Sequence, residues 1–254
     1  MTGLLERILA TKRDELSGMR GSALPAPPAR RAVELGRGPG TPLRLIAEIK
    51  LRSPSAGALS TALSVPERAS AYARAGADML SVLCDRSYFD GSYAHLQQAR
   101  DACSLPILCK EFVIDPCQLD WARAFGADAV LLIVRCLTEA QLPVLVAAAR
   151  ERELEPFVEV TNESEAARAL AAGATLIGIN ARDLDTLQMD SARAAKVLAE
   201  LPSTLTRVQL SGIATPEAVR DVARGPADAA LIGEALMRQA DPEPLLRQLV
   251  EAAQ

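Results

Sequence analysis

The chain has 254 residues, 49% of them hydrophobic and 24% charged, with a formal net charge of −4. That balance is the balance of a globular protein with a sizeable core; it offers no basic surface for nucleic acid, and no run approaches the ~18 apolar residues of a membrane helix. The partner it predicts is a small molecule.

Leu4, Leu5, Ile8 and Leu9 recur at helical spacing with charges between them, which predicts an amphipathic helix over Gly3 to Met19, a lid or plug ahead of the main body. Met1 to Arg20 lacks the apolar core of a secretory signal. The five cysteines (Cys84, Cys103, Cys109, Cys117, Cys136) show neither C-x-x-C nor zinc spacing. Both observations predict a cytoplasmic protein with reduced thiols. Gly21 to Pro42 is rich in Pro, Ala and Gly. Its G-R-G-P-G at 36–40 is interrupted by Pro39 and follows no strand, so a flexible linker is expected rather than a phosphate loop. Residues 1–43 therefore read as a helix-and-linker extension packing on a body formed by residues 44–254.

The stretch L-I-A-E-I-K-L-R-S-P-S-A-G at 45–57 organises that body. As a strand it points Glu48 and Lys50 to one face and Leu45, Ala47 and Ile49 to the other, and Ser53-Pro54 follow in a tight, hydroxyl-rich loop. A solvated pair on an edge strand would look the same in isolation, but the pattern recurs. Helix-like segments run through Gly-Ala-Asp or a variant into apolar strands at 75–82, 125–132, 172–179 and 225–232. Gly76, Gly126, Gly173 and Gly225 suit left-handed positions ending helices. Between these units lie further strands at Pro106–Cys109, Pro156–Val160 and Arg207–Leu210. With Leu45–Lys50 the total is eight βα units, which predicts a (β/α)8 TIM barrel, an open doubly wound sheet being the competitor.

In such a barrel the site lies at the carboxyl ends of the strands. Those ends deliver Glu48 and Lys50, then Lys110, then Glu159, then Asn180 and Arg182: ionisable and polar groups at the tips of apolar strands. Strands seven and eight end instead in Ser211-Gly212-Ile213 and Ile232-Gly233-Glu234, where exposed backbone N–H groups favour a phosphorylated substrate. His95, the single histidine, reads as solvated, Trp121 as helix packing, and Cys84 and Asp85 as ordinary loop residues or a site contribution with equal weight. No carboxylate cluster has the spacing of a metal site, so no metal is expected.

The motifs I-A-E-I-K-x-x-S-P-S (46–55), S-Y-F-D-G-S (87–92), P-I-L-C-K-E-F-V-I-D (106–115), V-E-V (158–160), I-G-I-N-A-R-D-L (177–184), S-G-I (211–213) and I-G-E-A-L-M-R (232–238) resemble those of the indole-3-glycerol phosphate synthase family of tryptophan biosynthesis. The resemblance covers nearly the whole chain. It implies cyclisation of 1-(2-carboxyphenylamino)-1-deoxyribulose 5-phosphate with loss of carbon dioxide and water, and no cofactor, because the ring's own iminium serves as electron sink.

By the family pattern Lys110 is the general acid, its pKa expected to be lowered by burial and a neighbouring cation. Lys50 anchors the carboxylate, and Glu159 is the base of the dehydration. Glu48 and Asn180 hold hydroxyls and the anthranilate, and Arg182 the ring or its carboxylate. Phe89, Phe112, Leu131 and Leu184 form an apolar wall, while Ser53, Pro54, Ser211, Gly212, Gly233 and Glu234 surround the phosphate end. Two positions depart from the family: Leu210 stands where a glutamate is usual, and Ala181 where asparagine is common. Leu210 keeps alternatives open, namely a diverged paralogue with altered substrate or only a binding role. A Schiff-base aldolase acting on a sugar phosphate through Lys110 or Lys50 is a further alternative. The oligomeric state is open, with a monomer among the options.

Overall fold

A computed structural model describes residues 3–54, 56–60, 62–183 and 186–254. Eight parallel strands form a closed ring: β1 (Arg44–Ile49), β2 (Met79–Leu83), β3 (Ile107–Lys110), β4 (Ala129–Ile133), β5 (Glu155–Val160), β6 (Leu176–Asn180), β7 (Thr206–Leu210) and β8 (Ala229–Ile232). Each pairs with its neighbours in sequence and β8 pairs with β1, so no edge is left open. The fold is the expected (β/α)8 barrel rather than the doubly wound sheet.

Strand alternation sorts the side chains into two cores. Ile46, Met79, Leu108, Leu131, Phe157 and Val208 fill the inside of the ring. Leu45, Ala47, Ile49, Ile107, Cys109 and Ile177 point outward and pack under the helices.

The recurrent Gly-Ala-Asp has a physical explanation in two parts. Gly76, Gly126 and Gly173 have φ of 97°, 97° and 78°. That left-handed turn lets the next N–H reach back into the helix, from Ala77 to Tyr72 O, Ala127 to Ala122 O and Ala174 to Ala169 O. Aspartates then fasten three of the four even strands, β2, β4 and β8, to the odd strand before each, while β6 is preceded by Thr175 instead. Asp78 accepts from Leu45 N (2.8 Å), Asp128 from Ile107 N (2.9 Å) and Asp228 from Arg207 N (2.8 Å). Gly225 departs from the expectation, having no left-handed φ. Pro226 stands there immediately before Ala-Asp, and its fixed φ and missing N–H rule out the turn the other units use.

The 21–42 segment also departs from expectation, because it is pinned rather than loose. Arg31 N donates to Asp128 Oδ1 (2.7 Å) and Arg37 N to Asp228 Oδ1 (3.3 Å), so two of the repeat aspartates hold it across the amino-terminal mouth. Leu35 is buried in the inner core there. At the carboxyl mouth lies helix α1 (Leu4–Met19), whose Leu5 and Ile8 join the same core from the other side. Trp121 packs as expected, stacked on Phe125 at 5.6 Å, and its Nε1 donates to Met19 O. His95 is half-buried rather than solvated, and burial pushes its pKa down.

Asp128 also holds the buried Arg100, 2.7 Å from Oδ2. Asp128→Ala removes that counter-charge and the carboxylate oxygens that accept from two backbone N–H groups, Arg31 and Ile107, and should destabilise the fold by about 3–5 kcal/mol in urea unfolding. A loss under about 1 kcal/mol would mean that the aspartates do not fasten the ring.

Candidate active site

A cavity of about 390 Å³ opens at the carboxyl mouth. It is lined by Glu48, Lys50, Lys110, Glu159, Asn180 and Arg182, by Ser53, Pro54, Ser211, Gly212, Gly233 and Glu234, and by Phe89, Phe112, Leu131 and Leu210. Strand parity accounts for the convergence: Glu48, Lys110, Glu159 and Asn180 sit at strand ends on the inward register. Leu184 lies outside the described residues.

The ionic groups form two linked sets. Lys50 Nζ lies 2.8 Å from Glu48 Oε1, and Ser81 Oγ donates to Glu48 Oε2 at 3.3 Å. Lys110 Nζ lies 3.3 Å from Glu159 Oε2, Asn180 Nδ2 donates to Glu159 Oε1 at 2.9 Å, and Ser211 Oγ donates to Asn180 Oδ1 at 2.8 Å. Arg182 N also donates to Asn180 Oδ1, at 3.0 Å. Glu159 and Asn180 are thereby held on both sides, which fixes the position of Lys110's counter-charge before any substrate arrives.

The protonation states follow from these contacts. Burial pushes the Glu48 carboxyl up, but Lys50 and Lys110 outweigh it and bring it below the usual carboxylate range. Lys110 corrects the sequence expectation. Burial does push it down, but Glu159 and Glu48 outweigh burial and hold the ammonium above its ordinary value. The group available at neutral pH is thus a protonated donor.

Glycines make room where the chain demands it. A Cβ on Gly233 would come within 2.6 Å of Glu48 Oε1, and one on Gly178 within 2.5 Å of the Phe157 ring. Ser211 and Gly212 both have left-handed φ, 69° and 78°, a strained turn that brings Ser211 Oγ to Asn180 and the loop to the cavity. Phe89 and Phe112 stand 6.1 Å apart as one wall.

Several contributors escaped the sequence reading. Leu4 and Ile8 of α1 line the cavity, as does Arg238, which pairs with Glu234. Asp85 proves to be wholly buried, and Lys12, only 1% exposed, reaches both it and Glu111. The available signal was Lys12 itself, a charge four residues after Ile8 on the apolar stripe of α1.

A closed barrel with paired lysines and carboxylates at its carboxyl mouth, beside a glycine-lined end suited to an anion, defines an enzyme of the (β/α)8 class. The family model for indole-3-glycerol phosphate synthase matches residues 5–249. A relative so named from Exiguobacterium sp. is 40% identical, covering 96% of this chain and 95% of its own. Another, from Acidithiobacillus ferrooxidans, is 42% identical over 98% of this chain and 99% of its own. A solved 3-hexulose-6-phosphate synthase overlays with a TM-score of 0.67 at 18% identity, covering 84% of this chain and 100% of that one, a likeness of fold alone. The chain belongs to the indole-3-glycerol phosphate synthase family of tryptophan biosynthesis.

Burial, with Asp85 beside it, pushes Glu111 from the ordinary 4.5 up to about 7 despite Lys12. A carboxyl raised on folding favours the folded state fully below its unfolded pKa, and that contribution is lost as pH rises through about 7. The Tm of Glu111→Gln relative to the parent should therefore improve between about pH 5 and about pH 8. A difference that stays constant would place the Glu111 ionisation outside this window.

Proposed function

We propose that the chain acts as a carboxy-lyase, closing the indole ring of 1-(2-carboxyphenylamino)-1-deoxyribulose 5-phosphate. The observation that carries this reading is the pairing of two lysines with two carboxylates around one apolar-walled cavity. Such pairing supplies a proton donor and a proton acceptor a few ångströms apart.

In this reading the aryl carbon bonds to the ribulose carbonyl carbon, and the Lys110 ammonium gives its proton to the developing alkoxide. The positive charge left on the ring nitrogen then draws the carboxylate's C–C electrons inward as carbon dioxide departs. Lys50 holds that carboxylate until it leaves. Loss of carbon dioxide restores the benzene ring; Glu159 then takes the proton from the carbon beside the ring nitrogen while the Lys50 ammonium, freed of the carboxylate, protonates the hydroxyl that departs as water, which completes the indole. Glu48 and Asn180 fix substrate hydroxyls, and Arg182 steadies the ring or its carboxylate. Phe89, Phe112 and Leu131 exclude water from it. Ser53, Pro54 and Ser211 line the phosphate end, with the N–H groups of Gly212, Gly233 and Glu234 receiving the phosphate. The same reading places the protein in the cytoplasm and takes residues 1–43 as an extension packing on the barrel, with α1 alone as the lid of the pocket, the barrel proper being 44–254.

Lys110→Ala should abolish turnover while product binding stays within about tenfold, because proton donation matters in the transition state and the phosphate and ring contacts remain. Near-normal turnover would remove Lys110 from the mechanism.

Leu210 points into the cavity where the family usually carries a glutamate, leaving the lysines one negative neighbour fewer. Leu210→Glu should raise the lysine pKa values and move the alkaline limb of kcat/KM to higher pH. Unchanged limbs would mean that position 210 does not couple to the lysines, and a fall in activity would favour a pocket adapted to leucine and to a different substrate.

A further inference from the structure

β2 and β3 end beneath α1, and what meets there is ionic. The stripe that α1 turns inward runs Leu5, Ile8, Lys12 and Leu16, so an ammonium occupies a place where the helical period wants an apolar side chain. Lys12 Nζ lies 2.8 Å from Asp85 Oδ2, 3.1 Å from Glu111 Oε1 and 2.8 Å from Glu15 Oε2. Asp85 and Glu111 are 0% and 3% exposed. A buried ionic group is weak evidence of stability, since apolar residues of similar volume often serve as well; its best-attested use is to fix register.

Register matters at this point of the chain. Glu111 follows the last residue of β3 and lies between Lys110 and Phe112, and all three line the cavity. Its Oε1 accepts the Phe112 N–H at 2.7 Å while both of its oxygens lie within 3.2 Å of Lys12 Nζ. One carboxylate thus joins the lid helix to the backbone that carries the proton donor. Asp85 anchors the other side, holding Lys12 while capping the short helix Arg86–Phe89 by accepting Tyr88 N at 2.7 Å.

We propose that Lys12 is a positioning residue for the ring-closing reaction: its ammonium grips the Glu111 carboxylate and so fixes the Lys110–Phe112 segment where Lys110 Nζ can reach the substrate. The inference rests on the reading of Lys110 as proton donor. Lys12 acts through Glu111 and touches no reacting atom.

The test is a double-variant cycle in the full chain, Lys12→Met and Glu111→Gln singly and together, with kcat, KM and Tm measured for each and the kinetics run well below melting. Methionine keeps a buried, unbranched side chain without the charge. Glutamine keeps an acceptor for Phe112 N–H but turns an amide donor toward the ammonium. Each single variant should lose roughly tenfold in kcat with KM within about threefold, because the phosphate and ring contacts lie elsewhere. The double variant should be no worse than the poorer single, because both changes cut the same link.

Unchanged kcat in the folded single variants, whatever their Tm, overturns the proposal, and so does a double variant whose losses multiply. If Lys12→Met does not fold, Glu111→Gln, which leaves the Lys12–Asp85 pair in place, decides the matter through its kcat and KM. Parent turnover separates the two levels: an inactive parent refutes the reaction and the proposal with it, whereas an active parent with unaltered variants refutes only the role of Lys12.

Discussion

Taking a charge out of water costs several kcal/mol unless a partner or hydrogen bonds offset it, and this barrel buries charge at both mouths. At the amino-terminal mouth Asp78, Asp128 and Asp228 spend their oxygens on backbone N–H groups and arginines. At the carboxyl mouth Glu48 and Glu159 pair directly with Lys50 and Lys110 on the wall of a cavity instead. The first arrangement is saturated by its own chain and serves the ring. The second keeps room between its walls, and that room is where chemistry can occur.

The same constraint explains why the two ends of the chain's first forty residues lie at opposite mouths. The 21–42 segment is held by the repeat aspartates and places Leu35 under the inner core. Helix α1 covers the other end, with Leu5 and Ile8 extending the core and Lys12 meeting the carboxylates beyond β2 and β3. Between them the inner core is sealed at one end and roofed at the other, which raises the strength of each ion pair within.

Much of this was legible in the sequence because strand alternation is local: Glu48 with Lys50, Leu108 with Lys110 and Gly178 with Asn180 announce their faces within three residues. What was not legible depended on partners distant in the chain. Lys110 was expected to have a lowered pKa from burial, but Glu159 and Glu48, arriving from β5 and β1, reverse the sign. The pinning of Arg31 and Arg37 needs aspartates roughly a hundred and two hundred residues away, so composition alone suggested looseness. The ionic group at Lys12 was hidden for the same reason, while Gly225 misled because Pro226 changes what its turn can do.

The most direct measurement is turnover of 1-(2-carboxyphenylamino)-1-deoxyribulose 5-phosphate by the full chain, following indole fluorescence and carbon dioxide release together. Paired lysines and carboxylates working as acid and base predict one carbon dioxide for each indole formed, with no borohydride-trapped adduct on Lys110 or Lys50. Absence of indole product, or a covalent lysine adduct formed during turnover, would contradict the account.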